Sequence, residues 1–166
     1  MLVTARRRLG ESSNIRFVHA AFDAIIRGDV SLGPFDFVIS SFAIHHLNTT
    51  EPTALFFRTL QQLDPGGWFL NIDVGLPDNT AFTEWQVELW REQIAGREQQ
   101  RGRTNSLGDV PDLVRRDPDN KFSALNGQLN SLRSVGFVEV ECLYRNSIFV
   151  LYCGRKPAVD LPADTP

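Results

Sequence analysis

The first guide to this 166-residue chain is what it has little of. Its only two cysteines, Cys142 and Cys153, sit in apolar, strand-like runs near the C-terminus. They lack metal-ligand spacing and are too few for a disulfide framework, so they read as reduced, buried residues. A bridge between neighbouring strands is the less favoured alternative in a reducing compartment. No segment approaches the roughly 20 apolar residues of a transmembrane helix. Nor does an apolar stretch follow Arg6-Arg7-Arg8, as a signal peptide would require. Cytoplasmic localisation with no membrane partner is therefore expected. Basic residues are not in surplus: 17 Lys and Arg against 20 Asp and Glu leave a net charge of -3. That argues against a nucleic-acid partner. The 12 glycines nowhere form Gly-x-Gly-x-x-Gly, which disfavours a dinucleotide-dependent enzyme.

What is present suits one globular domain over residues 1–156, with a disordered proline- and acid-rich tail over 157–166. The spacing of Leu2, Ala5 and Leu9 predicts a helix over Met1–Leu9, which has no N-cap and reads as a helix entered midway. Ile15–Val18 alternates like a short strand. Phe35–Ile39 is almost wholly apolar, as for a strand buried on both faces of a parallel sheet. A helix is predicted from Thr50 to Leu63, with Thr50 as cap, Pro52 in the first turn, and Phe56, Leu60 and Leu63 as the buried stripe. Asp64-Pro65-Gly66-Gly67 ends it and leads into a strand over Trp68–Val74, completing a βαβ unit.

Residues 75–130 read as a helical cover or substrate-recognising insertion. Phe82, Trp85 and Leu89 mark one helix, and Gly96–Asp119 is a polar stretch. Phe122, Leu125, Leu129 and Leu132 then share a helical face closed by Gly136. Phe137–Tyr144 and Ile148–Cys153 predict an antiparallel hairpin around Arg145-Asn146-Ser147.

Five motifs in this order carry a family resemblance. They are the helix Met1–Leu9, Phe17-Val18-His19-Ala20-Ala21-Phe22-Asp23, Phe35–Leu47 ending in Ile44-His45-His46-Leu47, Leu63–Val74 with Asp-Pro-Gly-Gly, and Leu132–Val140 with Gly136-Phe137. Together they resemble a class I S-adenosylmethionine-dependent methyltransferase of the small-molecule type. The resemblance implies an α/β fold: a Rossmann-like, mainly parallel sheet with an antiparallel C-terminal hairpin and a helical insertion after strand 5.

The family's strand 1, its Gly-x-Gly-x-Gly turn and strand 2 have no counterpart here. The domain therefore reads as N-terminally truncated, with strand 4 left without its direct partner. Another chain fills that gap, strand 3 closes against strand 4, or the true start lies upstream.

The resemblance also implies a site. Its cofactor would be S-adenosylmethionine, with Ser40 and Ser41 at the end of strand 4 reaching the methionine part and Phe22 and Asp23 beside the adenine. Relatives often carry an acid where Ala21 stands. His45 or His46 would take a proton from the acceptor, and Asp73 at the end of strand 5 would orient that histidine. The alternative is that the two histidines are packing and capping elements.

Adjacent histidines point apart and no third ligand is spaced nearby, so no metal is expected. Phe82, Trp85, Trp90 and Tyr144 read as the core of the helical cover or as a substrate wall. Arg91, Arg97, Arg101 and Arg103 read as an ordinary charged surface, or as an anionic-substrate site. The expected activity is methyl transfer to a small molecule. The rival is a non-catalytic module that pairs its strand 4 edge with a second copy or a complementing chain.

Overall fold

The computed structural model describes residues 2–10, 12–30, 32–103 and 107–158, and the chain divides into two compact units, residues 1–31 and 32–166. The expected tail lies outside the described residues from position 159 on. The first unit holds α1 (Leu2–Leu9) and α2 (Phe22–Arg27). Helix α2 stops at Gly28, whose φ of 82° lets the amides of Gly28 and Asp29 return to the carbonyls of Ile25 and Ala24. Glycine takes that left-handed geometry without a Cβ clash.

The strand expected at Ile15–Val18 does not form. Residues 15–20 are irregular, and Phe17 lies under the Arg6 guanidinium at 5.6 Å. A lone alternating tetrapeptide becomes a strand only when a neighbour takes up its amides. Among the described residues this segment joins no sheet, so the expected strand 3 has no place in the order β1-β2-β4-β3.

The second unit is built on a four-stranded sheet in the order β1-β2-β4-β3. Strands β1 (Phe35–Ser41) and β2 (Leu63–Val74) run parallel, joined through a 3-10 turn (Ile44–His46) and α3 (Glu51–Gln62). The expected βαβ unit is thus present. Between the pairs Phe35↔Leu63 and Phe37↔Trp68 the segment Asp64-Pro65-Gly66-Gly67 loops out. A Cβ on Gly67 would meet the Asp64 and Asp36 carbonyl oxygens at 2.9 and 3.0 Å, so the loop needs glycine there.

Thr50 does not cap α3 with its side chain. Its backbone is already helical (φ -95°, ψ -21°), whereas a capping residue works from an extended conformation. The Glu51 carboxylate accepts from the Asn48 amide at 2.6 Å instead.

The C-terminal hairpin pairs β3 (Val138–Asn146) with β4 (Phe149–Arg155). Its turn falls at Ser147, which has a φ of 57°. Both cysteines are free. Three helices complete the unit: α4 (Thr80–Gln100), α5 (Val110–Arg116) and α6 (Leu125–Ser134). Asn79 caps α4 by accepting from the Ala81 amide at 2.9 Å. The polar stretch after Gly96 is thus partly helical, because α4 runs on to Gln100 and α5 follows.

The two faces of the sheet differ. Phe69, Asn71 and Asp73 of β2, with Val150 and Tyr152 of β4, are all buried on the face that carries the main core. There the rings of Phe56, Phe69 and Phe137 form a row with centroid separations of 5.6 and 6.0 Å. Leu55 of α3 and Leu129 and Leu132 of α6 are buried as well. The opposite face of β1 carries Phe37 and Ile39, which remain 60% and 69% exposed. Strand β1 is therefore not buried on both faces, contrary to its apolar sequence.

Phe82, Trp85 and Tyr144 are also largely exposed, so they do not form the core of the helical cover. Trp90 does pack inward, edge-on to Phe149 at 5.0 Å, beside Val74, Val87 and Ile148. Among the described residues no helix is long and apolar enough to cross a membrane.

The fully buried Phe56 and its half-exposed neighbour Phe57 give a direct check on this packing. Phe56→Ala should lower the unfolding free energy by about 3–5 kcal/mol. Phe57→Ala should cost less than about 1 kcal/mol in the same urea titration.

Candidate active site

The C-terminal end of β2 delivers Asp73 into the interior, where it is 1% exposed. A buried carboxylate is tolerated only when donors surround it. Here Oδ2 accepts from the backbone amides of Ile44 (3.1 Å) and His45 (3.3 Å), and Oδ1 accepts from the Val74 amide at 2.8 Å. His45 Nδ1 completes the set at 2.5 Å from Oδ1.

The carboxylate can only accept, so the proton in that contact sits on Nδ1. A neutral His45 ring then carries a lone pair on Nε2. The 3-10 turn makes this possible, because one tight turn presents two amides and one imidazole to the same carboxylate. The His45 side chain is only 11% exposed.

A second segment seals the turn. The Lys121 amide donates to the His45 carbonyl at 2.6 Å, and the Phe122 ring lies 5.4 Å from the His45 ring. His46 is exposed, with its ring 4.1 Å from that of His45 and Nδ1 3.1 Å from the Asp119 carbonyl. It lines an open depression of about 540 Å³ with Asn48, Asp119 and Lys121. A second cavity of about 270 Å³ is lined by Leu76, Val87, Phe122 and Ile148, with Thr83, Arg115 and Asn120. Phe122 thus belongs both to that apolar cavity and to the surroundings of His45.

At the end of β1, Ser40 Oγ is buried without a hydrogen-bond partner, and Ser41 is exposed. Phe42 follows with a φ of 48°, while its amide donates to the Ile72 carbonyl at 2.8 Å. A bulky residue in the left-handed region is strained, and such strain concentrates at functional sites.

Of the residues singled out in the sequence, His45 and Asp73 meet directly, and His46 lies beside them facing outward. Ser40 and Ser41 occupy the end of the strand that leads into the 3-10 turn. Phe22 and Asp23 open α2 in the other unit, with Asp23 exposed. Sequence reasoning missed Phe42, Asp119, Lys121 and Phe122. The apolar spacing places Phe122 on the helical face of Leu125, Leu129 and Leu132, whereas it precedes α6. Also missed was a chain of bonds beneath the site: Asn71 Nδ2 donates to Tyr152 OH (2.7 Å), which donates to Gln128 Oε1 (2.9 Å). Asn71 and Asp73, two polar residues at i and i+2 in an apolar strand, were the available signal.

Histidine ¹⁵N NMR tests the tautomer. His45 should resonate as the Nδ1–H form in the wild type. Asp73→Ala should abolish that signature and cost about 1–3 kcal/mol of stability or more, because three backbone donors lose their acceptor. An Nε2–H ring in the wild type would reverse the assignment.

No family model and no curated protein matches this chain. Solved structures do match it. An O-methyltransferase family protein from Burkholderia thailandensis is 12% identical, with a TM-score of 0.66 over 96% of this chain and 41% of its own. Human N-acetylserotonin methyltransferase, solved in complex with SAM, is 19% identical, with a TM-score of 0.57 over 94% of this chain and 38% of its own. A Bacillus halodurans C-125 protein assigned as a methyltransferase is 15% identical, with a TM-score of 0.60 over 95% of this chain and 79% of its own. This chain spans well under half the length of the first two. At these identities the likeness is one of fold: the chain shares the α/β fold of these methyltransferase structures.

Proposed function

We propose that the chain takes part in S-adenosylmethionine-dependent methyl transfer to a small-molecule acceptor, with His45 as the general base. The observation that carries this reading is the 2.5 Å contact of His45 Nδ1 with the buried Asp73 carboxylate. It leaves Nε2 to accept a proton from an acceptor hydroxyl or amine. Asp73 holds the ring in that tautomer and balances the imidazolium that forms. The outward-facing His46 lines the depression and contributes to acceptor binding.

The end of β1 fits part of the cofactor. The unpartnered hydroxyl of Ser40 and the exposed Ser41 are suited to the polar methionine end. When bound, the cofactor supplies an electrophilic sulfonium methyl, and the chain's residues contribute mainly proximity and orientation. With no Gly-x-Gly-x-Gly turn in the sequence, the reading includes weakened cofactor affinity.

His45→Ala should lower turnover by about 10²–10⁴-fold, the usual contribution of a general base, with little change in cofactor affinity. His46→Ala should act mainly on acceptor KM. Equal loss of turnover in the two variants would sink the assignment. Titration calorimetry with S-adenosylhomocysteine tests the cofactor part independently. Micromolar binding supports the reading, and no heat at millimolar ligand removes it.

A second reading has its own observation. Among the described residues β1 pairs only with β2, and its exposed Phe37 and Ile39 sit at the open edge of the sheet. Such an edge serves a module that recruits a second copy or a complementing chain by strand addition. Light scattering at several concentrations should then show a dimer that Ile39→Lys returns to monomer. A monomer at every concentration excludes self-pairing.

A further inference from the structure

The C-terminal end of α4 carries a group of cations that form no ion pair among the described residues. Helix α4 ends at Gln100, Arg101 caps it, and Gly102 (φ 64°) turns the chain so that the Arg103 amide donates to the Glu98 carbonyl at 2.9 Å. Arg103 is thereby folded back beside Arg97 and Arg101. Together with Ile94, Glu98 and Leu107, these three arginines line a concavity of about 190 Å³. It shares no lining residue with the cavities beside His45 and His46.

Arginines elsewhere in the same insertion are paired. Arg91 bonds Glu88 and Asp112, and Arg115 grips Glu84 with two hydrogen bonds. Among the described residues Arg97, Arg101 and Arg103 form no such ion pair. Arg97 and Arg101 stand one helical turn apart, where like charges repel. The helix dipole offsets that repulsion for cations in the last turn, but Arg103 lies beyond the helix and was brought in by the Gly102 turn. Glu98 supplies the one carboxylate in the lining. It is 6% exposed, and its Oε1 accepts from the Leu107 amide at 3.0 Å. Among the described lining residues, three arginines stand against one carboxylate, an excess of two positive charges, with Ile94 and Leu107 as apolar members of the wall.

From this we propose that the concavity is a binding site for a small organic phosphate monoester. Guanidinium forks match phosphate oxygens with paired hydrogen bonds. A phosphate monoester carries about 1.5 to 2 negative charges near pH 7, which the site balances. The apolar walls receive the carbon part of the ligand. The site is independent of methyl transfer and stands or falls separately from the His45 reading.

The test is titration calorimetry of the whole chain at fixed low ionic strength, with phenyl phosphate, inorganic phosphate and benzenesulfonate as probes. Phenyl phosphate should bind saturably, more tightly than inorganic phosphate and far more tightly than the singly charged sulfonate. Arg97→Gln with Arg103→Gln should weaken it by at least about tenfold. Arg103→Gln alone lies outside the helix, so it reports even if the double variant disturbs α4. Arg116→Gln removes an exposed arginine outside the concavity and should leave binding unchanged. No saturable heat, equal heat with benzenesulfonate, or equal loss in the Arg116 variant overturns the proposal.

Discussion

The arrangement of the second unit depends on the need of the Asp73 carboxylate for donors. A charge at 1% exposure is tolerated only if its oxygens are filled, and from the sheet only the Val74 amide at the end of β2 reaches it, on Oδ1. The chain leaving β1 therefore has to turn back over the end of β2. It does so through the left-handed Phe42 and the 3-10 turn, whose Ile44 and His45 amides both reach Oδ2. Ile44 and Leu47 are buried on either side of the two histidines. A polar requirement thus sets the path of the β1–α3 connection, and the apolar residues pack in consequence.

The polar row beneath extends the same logic across the sheet. Asn71 of β2, Tyr152 of β4 and Gln128 of α6 are joined in sequence, and Gln128 Nε2 ends the row on the Val74 carbonyl at 2.9 Å. Burial drives the Tyr152 phenol well above its ordinary range, although the Asn71 bond acts against it. The phenol thus stays neutral and serves as acceptor and donor at once. Two strands and a helix are fixed at the level of Asn71, directly below the level at which Asp73 holds His45. The row thus braces the strand that carries Asp73 against β4 and α6.

The insertion follows a different plan. Around α4 and α5 the charges are settled locally, by Arg91 with Glu88 and Asp112 and by Arg115 with Glu84. Glu84 is held below its usual range by its hydrogen bond with Arg115, and Arg115 is raised in return. Those exposed pairs each contribute little to stability. At the other end of α4, among the described residues, Arg97, Arg101 and Arg103 form no such ion pair.

Much of this was legible in the sequence. The helix–Asp-Pro-Gly-Gly–strand run dictated the βαβ unit, because a proline followed by two glycines does not continue a helix and the apolar run after them has to pair. Gly136 and the apolar stripe of α6 set the entry to the C-terminal hairpin in the same local way. His45, His46 and Asp73 were recognisable as chemistry-bearing side chains at the ends of neighbouring strands.

Tertiary structure decided the rest, because those outcomes rest on contacts between distant residues. Ile15–Val18 has the alternation of a strand but no neighbour to take its hydrogen bonds. Phe37 and Ile39 look like core residues and lie exposed, since burial depends on what covers a face as well as on what the face carries. Which of two adjacent histidines meets Asp73, 28 residues from His45, was settled by the turn geometry after Phe42. Sequence spacing alone could not distinguish them, because it carries no information about the direction in which each ring leaves the backbone.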